Sequence, residues 1–240
     1  MMEVKEITDN SEVFVFKESG LEKIENSAEL GRIALDFCNY STNSEKILPK
    51  ENFIGAGINS IVWEAEDIAI KLSSRTSGNK FRRGATNKPE NLLDQFEFLD
   101  YFKKYLEYKS DGTICTPDQY FAIRNQKGEF LKAEELMTDW STVVEISQSH
   151  NLDEHEHALF LERTKNKINE QIGSPIIKLG LSDSGVGKNK ILHGGNILMP
   201  KDTVDLDNPK ICIIDQPAIG IKGKLAVSII KQINSVGLKR

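Results

Sequence analysis

No apolar run in this 240-residue chain approaches the roughly 20 residues that a helix needs to cross a bilayer. A membrane-spanning protein is therefore not expected. Cysteine is scarce: Cys38, Cys115 and Cys212 are odd in number and far apart. They make neither a disulfide framework nor a metal spacing, which points to reduced thiols in a cytoplasmic setting. Neither sign of charge dominates. The 31 basic and 36 acidic residues leave a net charge of −5 spread along the chain, without the basic cluster that nucleic acid would require. The first residues, MMEVKEITDNSEVF, are acidic and mixed, unlike a secretory signal. Three of the four histidines, His150, His155 and His157, fall in HNLDEHEH, which reads as a solvated helix start rather than a zinc site. Repeats and low-complexity tracts are also missing.

What is present suits a globular chain: 39% hydrophobic and 28% charged residues are enough for a core and a solvated surface. Residues 1–50 are polar, with one amphipathic helix expected from Ser27 to Tyr40, where Leu30, Ile33, Ala34 and Phe37 recur at helical spacing. These fifty residues read as an N-terminal extension packed on the adjoining lobe. From Asn52, NFIGAGINSIVWEAEDIAIKL is rich in β-branched residues and breaks at Gly55–Gly57 and at Glu66-Asp67, giving two or three short antiparallel strands. A polar loop over 73–89 precedes a strong helix carrying Leu92, Leu93, Phe96, Leu99, Phe102 and Leu106 on one stripe. PDQYFAIR and GEFLKAEELM then read as strands about a turn at 125–128. Beyond them lie a helix from about Leu152 to Ile172, a hairpin formed by KILHGGNILMP and KICIIDQPAIG, and a closing amphipathic helix.

Four pieces carry possible chemistry. Gly55-Ala-Gly57-Ile-Asn-Ser60 sits between strands, where glycines let a backbone approach a phosphate, although a plain turn has the same composition. Lys71 ends the apolar strand IAIK; a lysine there either meets an anion or snorkels to water. Asn196, in LHGGNIL, stands on a loop before a strand, able to ligate magnesium or simply to make a turn. Asp215 ends the strand ICIID, as a second metal ligand or as a turn cap.

Taken in order over residues 50–220, these pieces resemble the protein kinase-like superfamily, with LHGGNIL closest to the catalytic loop of aminoglycoside-phosphotransferase-like and small bacterial or phage kinases. The resemblance implies an α+β, two-lobed fold with ATP and Mg²⁺ in the cleft: residues 51–138 as the N-lobe and 139–240 as a minimal helical C-lobe. It implies that Gly55, Gly57 and Ser60 cover the phosphates, Lys71 holds them, and Asn196 and Asp215 hold Mg²⁺. Backbone atoms of the 134–137 segment, Glu135 and Met137 foremost, would bind adenine. The helix carboxylate pairing Lys71 would be Glu97, with Glu90 as competitor.

The sequence departs from the family pattern at the catalytic base. The position five residues before Asn196 is Ile191, which accepts no proton. Gln216-Pro217 stands where Phe-Gly usually follows the metal aspartate, and Ser60 replaces the third glycine. His193 and Asp183 are the local candidates for a replacement base. The resemblance leaves three functions open: a phosphotransferase acting on a protein or small molecule, a pseudokinase that binds nucleotide and regulates a partner, or a transferase of the AMP part of ATP. Compactness and divergence give the look of a bacterial or mobile-element protein, a toxin or an effector delivered into a host cell. A second phosphate-binding pattern, Ser182-Asp-Ser-Gly-Val-Gly-Lys188-Asn189, imitates a P-loop but lacks its first glycine and its hydroxyl after the lysine.

Overall fold

The structure, a computed structural model, describes residues 3–5, 11–39, 48, 50–56, 60–73, 89–110, 112–127, 129–173, 194–203, 205–214 and 221–237. About 49% of them are helical and 27% are in strands, which makes the fold mixed α+β with two separate sheets. The chain divides into two compact units, Met1–Pro89 with Asp118–Met137, and Glu90–Pro117 with Thr138–Arg240. No helix among the described residues is long and apolar enough to cross a membrane.

The first unit begins with β1 (Glu3–Lys5) and β2 (Glu12–Val15), then α1 (Glu18–Asn26) and α2 (Ala28–Asn39). Next come three further strands: β3 (Phe53–Ala56), β4 (Ser60–Ala65) and β5 (Ile68–Ser73). After the second unit's first helix, α3 (Pro89–Lys109), and its strand β6 (Ile114–Cys115), the chain returns with β7 (Gln119–Arg124) and β8 (Phe130–Glu135). These seven strands form one antiparallel sheet in the order β1-β2-β7-β8-β5-β4-β3.

Strand alternation sends Trp63, Ala65, Ile68, Ile70, Leu72, Phe121, Ile123, Leu131 and Ala133 into a core shared with Leu30, Ile33, Ala34 and Phe37 of α2. The helix stripe is the one the sequence spacing gives. The α2 N-terminus is fixed by Ser27, whose hydroxyl oxygen accepts from the Leu30 N–H at 3.0 Å and which donates to Glu66 at 2.6 Å. Glu66, at φ 56°, makes the left-handed β4–β5 turn, and Lys23 pairs with the adjacent Asp67. Helix α1 lies so close to β7 that a Cβ on Gly20 would sit 2.6 Å from the Tyr120 carbonyl oxygen.

Residues 11–39 are thus built into the unit, with β2 hydrogen-bonded to β7, where the sequence suggested an extension laid on it. The strand escaped the period-two pattern because Val13, Phe14 and Val15 are all buried, so both faces are apolar.

The second unit adds β9 (Trp140–Thr142), α4 (Val143–Ser149), α5 (Glu154–Ile172), a 3-10 turn (Gly194–Asn196), β10 (Ile197–Pro200), β11 (Ile211–Ile213) and α6 (Ile221–Gly237). Its sheet has the order β6-β11-β10-β9. The expected hairpin is its centre, with Ile197 opposite Ile213 and Leu198 opposite Cys212. The flanking strands are only two and three residues long, too short for a sequence pattern. Parallel pairing sets Cys115 opposite Cys212, two free thiols far apart in the chain. Capping boxes at Thr142 and Asp153 start α4 and α5. Phe98, Phe102, Ile146, Phe160, Ile168, Ile197, Ile213 and Ile230 fill the core. Of the loop expected over 73–89, Ser73 ends β5 and Pro89 begins α3, and residues 74–88 lie outside the described residues, as does the P-loop-like stretch.

Phe37 is fully buried whereas Leu35, on the opposite side of α2, is 45% exposed. Phe37→Ala is expected to cost about 3–5 kcal/mol in urea denaturation, and Leu35→Ala less than about 0.5 kcal/mol.

Candidate functional site

Strand β5 is central in its sheet, flanked by β4 and β8. Since Ile68, Ile70 and Leu72 face the apolar core, Ala69 and Lys71 face the other way. Register then determines the company Lys71 keeps: Val62 is opposite on β4 and Lys132 opposite on β8, while Glu134 is opposite Ala69, one diagonal step from Lys71. The Lys71 ammonium forms an ion pair with Glu134 Oε1, and their side chains keep only 11% and 9% of their solvent exposure. The other carboxylate oxygen of Glu134 accepts from Gln119 Nε2 at 3.2 Å. A carboxylate in this place is held from two sides, and its geometry is set by the sheet.

Among the described residues the carboxylate on Lys71 is therefore Glu134, on the neighbouring strand, whereas the sequence suggested a helix residue. Glu97 lies within α3, as does Glu90, and their side chains are outside the described residues. Gly55 lies in β3 just past a register shift between Phe53 and Gly55, and a Cβ there would meet nothing within 4 Å. Gly57 lies outside the described residues, and Ser60 opens β4 with its side chain undescribed. The Glu135 N–H donates to the Asp118 carbonyl at 2.8 Å, and its carboxylate accepts from the Asp118 N–H at 3.0 Å. Its backbone donor is thus already used, and Met137, two residues on, is half-buried.

In the second unit Asn196 closes the 3-10 turn ahead of β10 and is half-buried. Its carbonyl accepts from the Ile214 N–H at 3.1 Å, so the start of β10 and the end of β11 are tied at one end of the sheet. Asp215 is the next residue in the chain after Ile214 and, with His193, Asp183 and Ile191, lies outside the described residues. The candidate ligands are oxygen donors, the kind a hard cation such as Mg²⁺ takes. Two histidines of HNLDEHEH have partners of their own: His150 Nδ1 is 2.9 Å from the Ile146 carbonyl, and His157 Nδ1 is 2.7 Å from Ser147 Oγ. Ser147 donates its proton to the Val143 carbonyl at 2.9 Å, so this Ser–His contact ties α4 to α5 and does not activate the hydroxyl.

No protein-family model matches the chain, and no curated protein sequence matches it.

Two functional-site candidates escaped sequence reasoning, Lys132 and Glu134 as side chains. The signal was available: in FLKAEE they are two residues apart and so on one face, the face of whichever lysine stands opposite. Burial pushes the Lys132 amine down to about 8, the Lys71 charge adds to this, and Glu134 works in the opposite direction. An unfolded lysine stays near its ordinary value of about 10.4. Between those two values the unfolded chain binds more protons, so stability rises with pH, and below them the full penalty applies. From about pH 7.5 to about pH 9.5 the protein is expected to gain ~1–2 kcal/mol from this group. Urea denaturation followed by Trp63 fluorescence, in a Trp140→Phe background, should show the rise and its loss in Lys132→Met.

Proposed function

We propose that the chain is a kinase-like, Mg²⁺-dependent ATP-binding protein whose activity is transfer of the γ-phosphoryl group to a protein or small-molecule acceptor. The observation that carries this reading is the buried Lys71–Glu134 pair on the central strand of an antiparallel sheet. A lysine withdrawn from water costs several kcal/mol unless anions meet it, and one carboxylate fixes its position while its remaining donors serve a phosphate. Support comes also from strand order. The Gly55 hairpin, the lysine strand and the strand leading to Met137 are consecutive neighbours, β3–β4–β5–β8. Packing within the fold does not demand the missing side chain at Gly55, as a Cβ there meets open space.

In this reading Lys71 orients the α- and β-phosphates, and the backbone near Met137 binds adenine. Asn196 and Asp215 would hold Mg²⁺, which when bound would supply positive charge against the phosphate oxygens. The acceptor's hydroxyl oxygen bonds to the γ-phosphorus as the bond to the bridging oxygen of ADP breaks, and the hydroxyl proton passes to His193 or Asp183. Because phosphoryl transfer depends mainly on positioning and charge, loss of the usual base lowers the rate by roughly 10²–10⁴-fold and leaves binding in place.

Ile191 favours a second reading, a pseudokinase that binds nucleotide and regulates a partner. The two part on transfer, not on binding. Titration calorimetry with Mg-ATP is expected to show binding by the wild type and its loss in Lys71→Ala and Asp215→Ala. Transfer of ³²P from the γ-position in the same samples marks the enzyme, and binding without transfer marks the pseudokinase. A wild type that binds no Mg-ATP removes both.

A further inference from the structure

The sheet of the second unit sets two cysteines side by side. Strand β6 runs parallel to β11, with Ile114 opposite Ile211 and Cys115 opposite Cys212. Ile114, Ile211 and Ile213 belong to the apolar core, so strand alternation turns Cys115 and Cys212 together to the other face. Neighbouring strands lie about 4.7–4.9 Å apart. That falls inside the window of about 4.4–6.8 Å between the Cα atoms of a disulfide. Both residues are thiols here. Their surroundings differ: Cys212, on a strand paired on both sides, is fully buried, whereas Cys115, on the edge strand, is half-buried. The row continues across the sheet with Leu198 and Thr142, which carry no group that oxidises. Strand β6 is only two residues long, the kind of edge that opens first when a sheet frays. It is held by the Ile211 N–H, which donates to the Thr113 carbonyl at 2.8 Å, and by the Ser110 hydroxyl, which donates to the Ile114 carbonyl at 3.2 Å.

We propose that Cys115 and Cys212 are a redox couple: a peroxide joins them in a disulfide that staples β6 to β11, and a dithiol releases it. The inference rests on strand register and stands whether or not the chain binds nucleotide. Cys115, the thiol nearer water, attacks one peroxide oxygen as its thiolate. The O–O bond breaks, the sulfur becomes a sulfenic acid, and the hydroxide that leaves takes up the thiol's proton. The Cys212 sulfur then attacks the Cys115 sulfur, the S–O bond breaks, and a second hydroxide leaves with the Cys212 proton. Two thiols and one hydrogen peroxide thus give one disulfide and two waters, with two electrons passing from sulfur to oxygen. Hydrogen bonds made by the thiols do not bar the step, because the S–S bond takes the place of both S–H groups. In a compartment that keeps thiols reduced, such a bridge forms transiently and reports oxidant. It closes the long loop between residues 115 and 212, which restricts the unfolded chain and stabilises the folded one.

The test treats the full chain with hydrogen peroxide under native conditions, alkylates the remaining thiols and maps the tryptic peptides. Peptide 110–124 is expected joined to peptide 211–222 within one chain, and separate again after dithiothreitol. Cys38 serves as the internal control, since burial pushes its thiol up, and it should be recovered alkylated. A link that forms only in urea, only between two chains, or as readily to Cys38 overturns the proposal. So does Cys115 carried to sulfinic acid without any link. The thermal midpoint of the oxidised chain is expected roughly 5–15 °C above that of the reduced chain, with the shift lost in Cys115→Ser. A wild-type midpoint that oxidation leaves unchanged removes the staple. Should Cys115→Ser not fold, the wild-type peptide map and its reversal by dithiothreitol decide.

Discussion

Charge held out of water on strand β5 is the constraint around which the first unit is arranged. The Lys71 side chain is almost fully withdrawn from solvent, and a charge held there is costly without an opposite one beside it. Glu134 meets that need from the neighbouring strand, so the pair depends on sheet register alone. A slip of β8 by one residue would carry Glu134 and Lys132 to the apolar side and bring Leu131 and Ala133 against the lysine. The core on the other face opposes the same slip, since Leu131 and Ala133 belong to it. Polar and apolar faces therefore enforce one register together, each making errors in the other costly.

This coupling gives the site a different character from one assembled out of loops. Lys71, Glu134 and Gln119 belong to three adjacent strands, and β5 and β8 are each hydrogen-bonded on both sides. Their side chains are positioned by the folded sheet itself, through contacts that join one strand to the next. Asn196, by contrast, sits at the junction of a 3-10 turn and a four-residue strand, where its carbonyl accepts from the Ile214 N–H.

Much of the fold was legible in the sequence where one face of an element is apolar and the other wet. The stripe Leu30, Ile33, Ala34, Phe37 gave α2, and the alternation in IAIKL gave β5. Where both faces are covered, as at Val13–Val15, the alternation vanishes and the strand was unreadable. Strands β6 and β9 are too short for any period, and the parallel pairing of β6 with β11 joins segments that nothing in the local sequence connects. At the site, Lys71 was legible as an apolar strand ending in a cation, but its pairing with Glu134 was not. That pairing depends on which strand lies beside β5, and pairing across some sixty residues is a tertiary fact that periodicity does not hold.

The order in which the strands are made differs from the order in which they lie. Strands β1 and β2 at one side and β3 to β5 at the other leave the ribosome first, and the β7–β8 hairpin that joins them arrives only after α3 and β6. Until residue 135 has emerged, the edges β2 and β5 that the finished sheet covers stay open, each awaiting the same insert. Open edges recruit strands from other chains, and contacts so distant in sequence form slowly. Lys71 on the β5 edge puts charge where a premature partner would have to bury it. The lysine buried with its carboxylate in the finished sheet is thus, during synthesis, a guard against joining the wrong one.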